Sequence, residues 1–251
     1  MISGAEAHRI GKALESVVGW TREIIVVLNE DVHDGTEEIA VRHGARVFRE
    51  PWKGYMAQKN SAADKATQPW LLGLDADEMV SPALRTEVEA TFAHREDLER
   101  YVAYRFPRCT EYFGRWIRHG DWYPDYQTRL WQRGKAAWGG ADPHERLILC
   151  GPTATLRGDL QHRSMESYEH QIRKSIAYAD GFVRQCQAEG RRVTAVDLYG
   201  RPIWRFLRAY MFKLGFLDGW QGYSIAWMTA FYTFLRYAKA RTAQSSTPPA
   251  P

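Results

Sequence analysis

Trp70-Leu71-Leu72-Gly73-Leu74-Asp75-Ala76-Asp77-Glu78 passes from an apolar run to a carboxylate cluster without an intervening turn. The first five residues are expected to form a buried strand that ends directly at the acidic cluster. Ser81-Pro82 follows as an N-cap and an N1 proline, which predicts a helix to about Ala93. Upstream, Ile10, Leu14, Val17 and Val18 recur at helical spacing within residues 6–18, and Glu23–Leu28 is a β-branched run of the kind a buried parallel strand shows. Asp34-Gly35-Thr36 starts a helix through His43, Ala45–Phe48 is a short strand, and residues 57–66 read as a helix. This alternation predicts an α/β fold with a mostly parallel sheet flanked by helices. In such sheets ligands bind beyond the carboxyl ends of the strands, where the acidic cluster lies.

Two carboxylates two residues apart, Asp75 and Asp77, can share one divalent cation, or one can hold the metal while the other takes a hydroxyl. Mg²⁺ and Mn²⁺ prefer oxygen ligands and often share them with phosphates. A solvated acidic turn is the plain alternative for so short a pattern. The strand before it and the capped helix after it favour the functional reading.

Composition excludes several classes. The 251 residues can bury a substantial core, and a net charge of +4 is too weak to imply nucleic acid. Three cysteines without a CxxC pair fit neither a disulfide framework nor a zinc site, which suggests a reducing compartment. No basic and apolar leader opens the sequence, so a cytoplasmic location is expected. Ten Trp and thirteen Tyr exceed what a core of this size needs, and aromatic faces suit the stacking of sugars.

The segment Ala57-Gln58-Lys59-Asn60-Ser61-Ala62-Ala63, taken with Trp70–Glu78, resembles glycosyltransferase family 2, in particular its bacterial lipopolysaccharide core enzymes. The likeness runs over roughly residues 3–240. It implies a GT-A fold, assigned to residues 1–165, and the residue pattern adds a helical region over 166–241 and a disordered tail over 242–251. It also implies an inverting transfer of a hexose from a nucleotide-diphosphate sugar to a saccharide or glycolipid acceptor, with Mg²⁺ or Mn²⁺. By this resemblance Asp77 ligates the metal, while Asp75 holds the ribose or the metal. Lys59 and Asn60 lie near the base or the phosphates. Arg129 pairs with a carboxylate or a phosphate, and His162 is a metal or diphosphate ligand or a buried structural histidine.

Trp138–Leu147 resembles the family segment that supplies the catalytic base. Glu145 is the first choice for removing the acceptor proton and Asp142 the second, with His144 on the diphosphate or the metal, or orienting Glu145. The beginning departs from the pattern. Relatives open with a buried strand ending in Thr-Lys-Asn-Glu-Glu, which Ser3–Ile10 matches only at its end, with Ala5-Glu6 for the Asn-Glu pair. Most of that strand is therefore expected upstream of Met1, or else this protein lacks it. The Asp that usually holds the nucleobase is replaced, and Asn29 or Asp31 offers an acceptor instead.

Beyond residue 100 the expected elements are strands at Tyr101–Phe106 and Thr128–Trp131, then helices over 166–189, 203–214 and 223–239. From Leu214 to Leu235 the only charge is Asp218, but the glycines at 219 and 222 argue against a membrane span. The alternatives over 201–239 are helices lying on a membrane surface and helices packed on the catalytic domain. Two other functions fit less well. A nucleotidyltransferase would want a Gly-rich basic loop that Ser3–Glu6 does not supply, and the missing first strand keeps open an inactive carbohydrate-binding or scaffold protein.

Overall fold

The computed structural model describes residues 1–140, 145–165 and 167–245, so Asp142 and His144 lie outside the described residues. The chain forms two compact units. Met1–Cys109 and Asp125–Arg163 make the first, whereas Thr110–Pro124 joins Ser164 and the residues after it in the second. The sequence predicts a single boundary at 165. The excursion at 110–124 belongs to the helical unit because Tyr112 and Ile117 pack with Ile225 in an apolar cluster.

The first unit opens as expected. β1 (Ile2–Ser3), β2 (Ile25–Asn29) and β3 (Arg46–Glu50) form a parallel sheet, linked by α1 (Ile10–Glu15) and α2 (Thr36–Arg42). Helix α1 is shorter than its periodicity suggests. Residues just before it are held in a turn, where the Glu6 N–H donates to Thr36 Oγ1 and the Ala7 N–H to Asp34 Oδ2. Helix α3 (Tyr55–Asp64) then leads to β4 (Trp70–Leu72), β5 (Glu78–Val80) and α4 (Pro82–Ala93), where Ser81 Oγ caps the Leu84 N–H.

Parallel pairing does not continue. After α5 (Arg95–Arg100), β6 (Ala103–Tyr112) is followed by β7 (Arg115–Trp116), β8 (Asp125–Gln132), β9 (Ala136–Gly139), β10 (Arg146–Leu149), β11 (Thr153–Thr155) and β12 (Leu160–His162). β9 and β10 pair with each other as a separate antiparallel hairpin, and the other strands form a mixed sheet in the order β4-β8-β6-β12-β5, with β7 and β11 also on β6. The β4/β8, β8/β6 and β12/β5 pairs are antiparallel. Tyr104, Phe106, Leu84 and Leu160 centre the core beneath this sheet.

β1 and β4 each end their own sheet. Between these edges lies a cavity of about 570 Å³, lined by Ile24 and Ile25 on one side and Trp70, Leu71 and Leu72 on the other. The two residues of β1 pair only with Val27 and Leu28 of β2, so the earlier part of β2 faces this space. The Met1 amine donates to the Ile25 carbonyl at 2.9 Å. Burial lowers its pKa to about 6, against the pull of Asp75 and with the push of Lys59.

The second unit is helical. α6 (Tyr168–Ala188) is capped by Ser167, α7 (Arg201–Leu207) is flanked by π-helical turns at Val196–Gly200 and Arg208–Phe212, and α8 runs from Gly219 to Ser245. Gly222 permits the close start of α8, since a Cβ there would meet the Gly215 carbonyl oxygen at 1.8 Å. Among the described residues no helix is long and apolar enough to cross a membrane.

Candidate active site

The acidic cluster is a folded device, with its carboxylates held by partners from neighbouring strands. Antiparallel pairing of β4 with β8 brings Arg129 alongside Gly73, whose N–H donates to the Arg129 carbonyl at 2.7 Å. From there the Arg129 Nη2 donates to Asp75 Oδ2 and to Glu78 Oε1, both at 2.7 Å. Glu78 has no exposed surface, and its second oxygen accepts from the Asp75 N–H at 3.1 Å. Arg108, paired with Asp125, reaches Glu78 at 3.4 Å. Glu78 therefore fixes the backbone and the cation that orient Asp75.

Burial pushes the Asp75 carboxyl up, but the charges of Arg129 and Lys59 outweigh it and hold the group far below the usual carboxylate range. Arg129 shows the converse. Burial works against its charge, and the carboxylates of Glu78 and Asp75 raise it further above its ordinary value. Both groups are ionised at any physiological pH.

Lys59 comes from α3 and lies 2.9 Å from Glu145 Oε1 and 3.4 Å from Asp75 Oδ1. Its ammonium sits 4.6 Å from the centre of the Trp138 ring, and the Arg129 guanidinium 5.7 Å from it. Trp138 is thus a shared aromatic face for two cations. Asn60 holds that residue in place by a reciprocal amide pair, donating to the Trp138 carbonyl at 2.9 Å and accepting from its N–H at 2.8 Å. Its observed contact is positional.

Asp77 belongs to a second group. Its Oδ2 is 3.4 Å from His162 Nε2, which antiparallel pairing places opposite Glu78, and 3.8 Å from Arg9 Nη1. Arg9 in turn is forked onto the Glu6 carboxylate. Burial raises Asp77, whereas the His162 hydrogen bond and the charges of His162 and Arg9 bring it below its ordinary value. Among the described residues there is no group of three or more His, Cys, Asp or Glu side chains arranged to hold a metal. Asp77 and His162 nevertheless offer an oxygen and a nitrogen side by side. That set suits a cation which takes its remaining ligands from water and a diphosphate. Both Asp75 oxygens, by contrast, face Arg129 and Lys59.

Asn29 ends β2 with its Oδ1 buried and without a partner, while Asp31 is exposed in the turn that follows. Glu145 Oε2 and Arg129 Nε are likewise buried and unpaired. Such atoms are costly unless a ligand or water satisfies them. Arg9, Glu78 and Trp138 received no role from the sequence. The carboxylate that directly follows the Asp-x-Asp pattern was a readable signal, whereas the pairings of Arg9 and Trp138 are tertiary.

The sequence profile of Glycosyl transferase family 2 matches residues 3–156. An uncharacterized glycosyltransferase of Rickettsia prowazekii is 32% identical over 257 residues, covering 96% of this chain and 85% of the relative. The lipopolysaccharide core biosynthesis glycosyltransferase LpsC of Rhizobium meliloti is 28% identical over 93% of this chain and 87% of its own. Solved structures of similar shape include mannosyl-3-phosphoglycerate synthase from Rubrobacter xylanophilus, at 15% identity and a TM-score of 0.46 over 77% of this chain and 74% of that one. Another is S. aureus TarS 1-349 in complex with UDP-GlcNAc, at 12% identity and a TM-score of 0.48 over 97% and 90%. The chain belongs to glycosyltransferase family 2 and is a glycosyltransferase with a GT-A fold.

Proposed function

We propose that the protein moves a hexose from a nucleotide-diphosphate sugar to a saccharide acceptor on a lipid-linked glycan, such as a lipopolysaccharide core, with inversion at the anomeric carbon. The convergence of Lys59 and Arg129 on Asp75 at the end of β4 carries this reading. It provides fixed cations for a diphosphate beside a carboxylate for a sugar or ribose hydroxyl. Asn29, with its unpaired acceptor, takes the nucleobase, and Asp31 lies at the edge of that pocket. Glu6 acts through Arg9, which it orients toward the phosphates. Asp77 and His162 would hold Mg²⁺ or Mn²⁺, and the cation supplies charge neutralisation for the departing diphosphate.

In the transfer, the acceptor oxygen bonds to the anomeric carbon while that carbon's bond to the diphosphate breaks. Glu145 takes the acceptor's proton on Oε2, the oxygen that Lys59 leaves unoccupied. Asp142 is the alternative base should Glu145 not serve, and His144 is a diphosphate contact. Lys59 and Arg129 receive the charge that develops on the leaving group. A lipid-linked acceptor places the enzyme in the cytoplasm at the inner face of the membrane, with contact through residues 201–239.

The test is a panel of UDP-, GDP- and ADP-sugars assayed for Mn²⁺-dependent hydrolysis and transfer. Asp77→Ala is expected to lower turnover by about 100-fold or more, that is, by about 3 kcal/mol of barrier. Pyrophosphate release from a nucleoside triphosphate would point to a nucleotidyltransferase instead. Failure of every nucleotide sugar to bind more tightly with metal would leave a scaffold.

A further inference from the structure

The helical unit exposes aromatic and aliphatic side chains that a water-facing surface has no use for. On α8, Trp220, Tyr223, Trp227, Phe231 and Phe234 recur three or four residues apart, so they line one face, and all five are exposed. Before it, Ile203, Trp204, Met211 and Phe212 are exposed, Phe212 to 69% and Trp204 to 54%. Phe206 packs α7 onto α8, with its ring 5.1 Å from that of Trp227 and 5.9 Å from that of Tyr223, while the exposed Trp204 lies against Phe212 with ring centroids 5.5 Å apart. The helical unit thus carries an extended exposed apolar surface. Faces of this extent mark an interaction site.

The charges around it select the partner. Residues 113–124 and 191–236 hold nine Lys or Arg against three carboxylates, Asp121, Asp197 and Asp218. Each carboxylate is buried beneath the arginines that pair with it, Arg115 on Asp218, Arg191 and Arg201 on Asp197, and Arg205 and Arg208 on Asp121, so that positive charge is in excess and is the part left exposed. Side chains of Arg115, Arg191, Arg201, Arg205 and Arg208 are between 35% and 53% exposed, whereas those of Asp121, Asp197 and Asp218 are only 3% to 12% exposed. Asp218 spends its oxygens on the N–H groups of Arg118 and His119 and on the His119 ring. The outer surface thus combines Trp and Tyr rings, aliphatic chains and guanidinium groups with almost no negative charge. A lipid interface of negative charge is the medium that this combination matches.

We propose that this face docks in the plane of an anionic phospholipid bilayer, with the rings at headgroup depth and the arginines on lipid phosphates. The proposal specifies the lipid chemistry and residues of the membrane contact in the functional reading and rests on none of that reading's chemistry. Vesicles of phosphatidylcholine alone, and others with about a third phosphatidylglycerol, are the probes. Co-sedimentation and quenching of tryptophan fluorescence by brominated lipid are the readouts, without donor or acceptor. Binding to the anionic vesicles is expected to be about tenfold or more stronger and to weaken with salt. Trp204→Glu with Phe212→Glu should remove it while the melting temperature holds. Tyr126→Glu, an equally exposed aromatic of the first unit, should leave it unchanged.

Equal binding to both vesicles would overturn the proposal, as would no binding at all. So would a concentration-dependent dimer that buries Trp204 and Phe212 and refuses vesicles, since a second copy would then be the occupant. Asp77→Ala separates the two readings. If it abolishes transfer and still binds vesicles, both stand. If the parent binds vesicles and no sugar nucleotide is turned over, only the transferase reading falls.

Discussion

Both units bury carboxylates, and they put them to opposite use. In the first, Asp75 and Glu78 meet on a single buried arginine, and atoms around them are left unsatisfied: Arg129 Nε, Glu145 Oε2 and Asn29 Oδ1. In the second, Asp218 and Asp121 are spent on backbone N–H groups and on Arg205 and Arg208. The first arrangement fixes opposite charges beside polar atoms that the protein itself leaves unpaired. The second removes negative charge from a surface that is otherwise aromatic. A buried ion pair is weak evidence for stability and better evidence for what must be kept in register or out of sight.

The largest expected effect tests the first arrangement. Removing Glu78 leaves Arg129 buried with half of its counter-charge. Glu78→Ala is expected to destabilise by about 3–5 kcal/mol, since breaking a buried pair strands the remaining charge. Thermal unfolding should fall by roughly 10 °C or more. Combining Glu78→Leu with Arg129→Met should recover much of that stability without recovering activity. A double variant as unstable as the single one would mean that Glu78 matters for packing and not for charge.

How much of this was legible differs between the two regions for a physical reason. The strand at Trp70–Leu72, the helix capped at Ser81 and the pairing of a β4-end carboxylate with Arg129 follow from local pattern or from the family likeness. The antiparallel second half escaped the reading because it depends on which strands meet. Strands β6 and β8, joined by a long aromatic excursion, carry no local mark of their partners. Arg9 was invisible for the same reason, as its two carboxylates are Glu6 and the distant Asp77. In the helical unit, spacing placed the helices. It did not reveal that Asp218 would be 2% exposed, and on that depends the sign of the surface.

A smaller effect is expected at Asp218. Asp218→Asn keeps the shape and one acceptor but loses charge-assisted bonds to two N–H groups and the His119 ring. The cost should be about 1–3 kcal/mol in chemical denaturation. It should fall on the second unit, with hydrogen exchange rising at Arg118 and His119 first. Acid should separate the units in another way. Asp75 and Asp77 both titrate below 3.8, the ordinary value of an aspartate. As the pH drops, the unfolded chain takes up protons before the folded one does. Their contribution is complete above that ordinary value and is lost as the pH falls through the depressed folded values. Asp77→Asn should flatten this acid limb of a stability-against-pH curve, and an unchanged limb would place the linkage elsewhere.

The smallest effect discriminates most sharply, because it should be close to nothing. Trp204 is more than half exposed, and its ring meets that of Phe212 at a tilt of 45° with centroids 5.5 Å apart. If the aromatic face serves the fold, Trp204→Ala should cost about 3 kcal/mol or more, as removal of a core aromatic does. If the face is directed outward, the change should stay within about 0.5 kcal/mol, as surface substitutions do. The second outcome is expected in urea denaturation at unchanged m-value. A tryptophan that contributed so little to the folded chain would be explained by what it meets outside the chain.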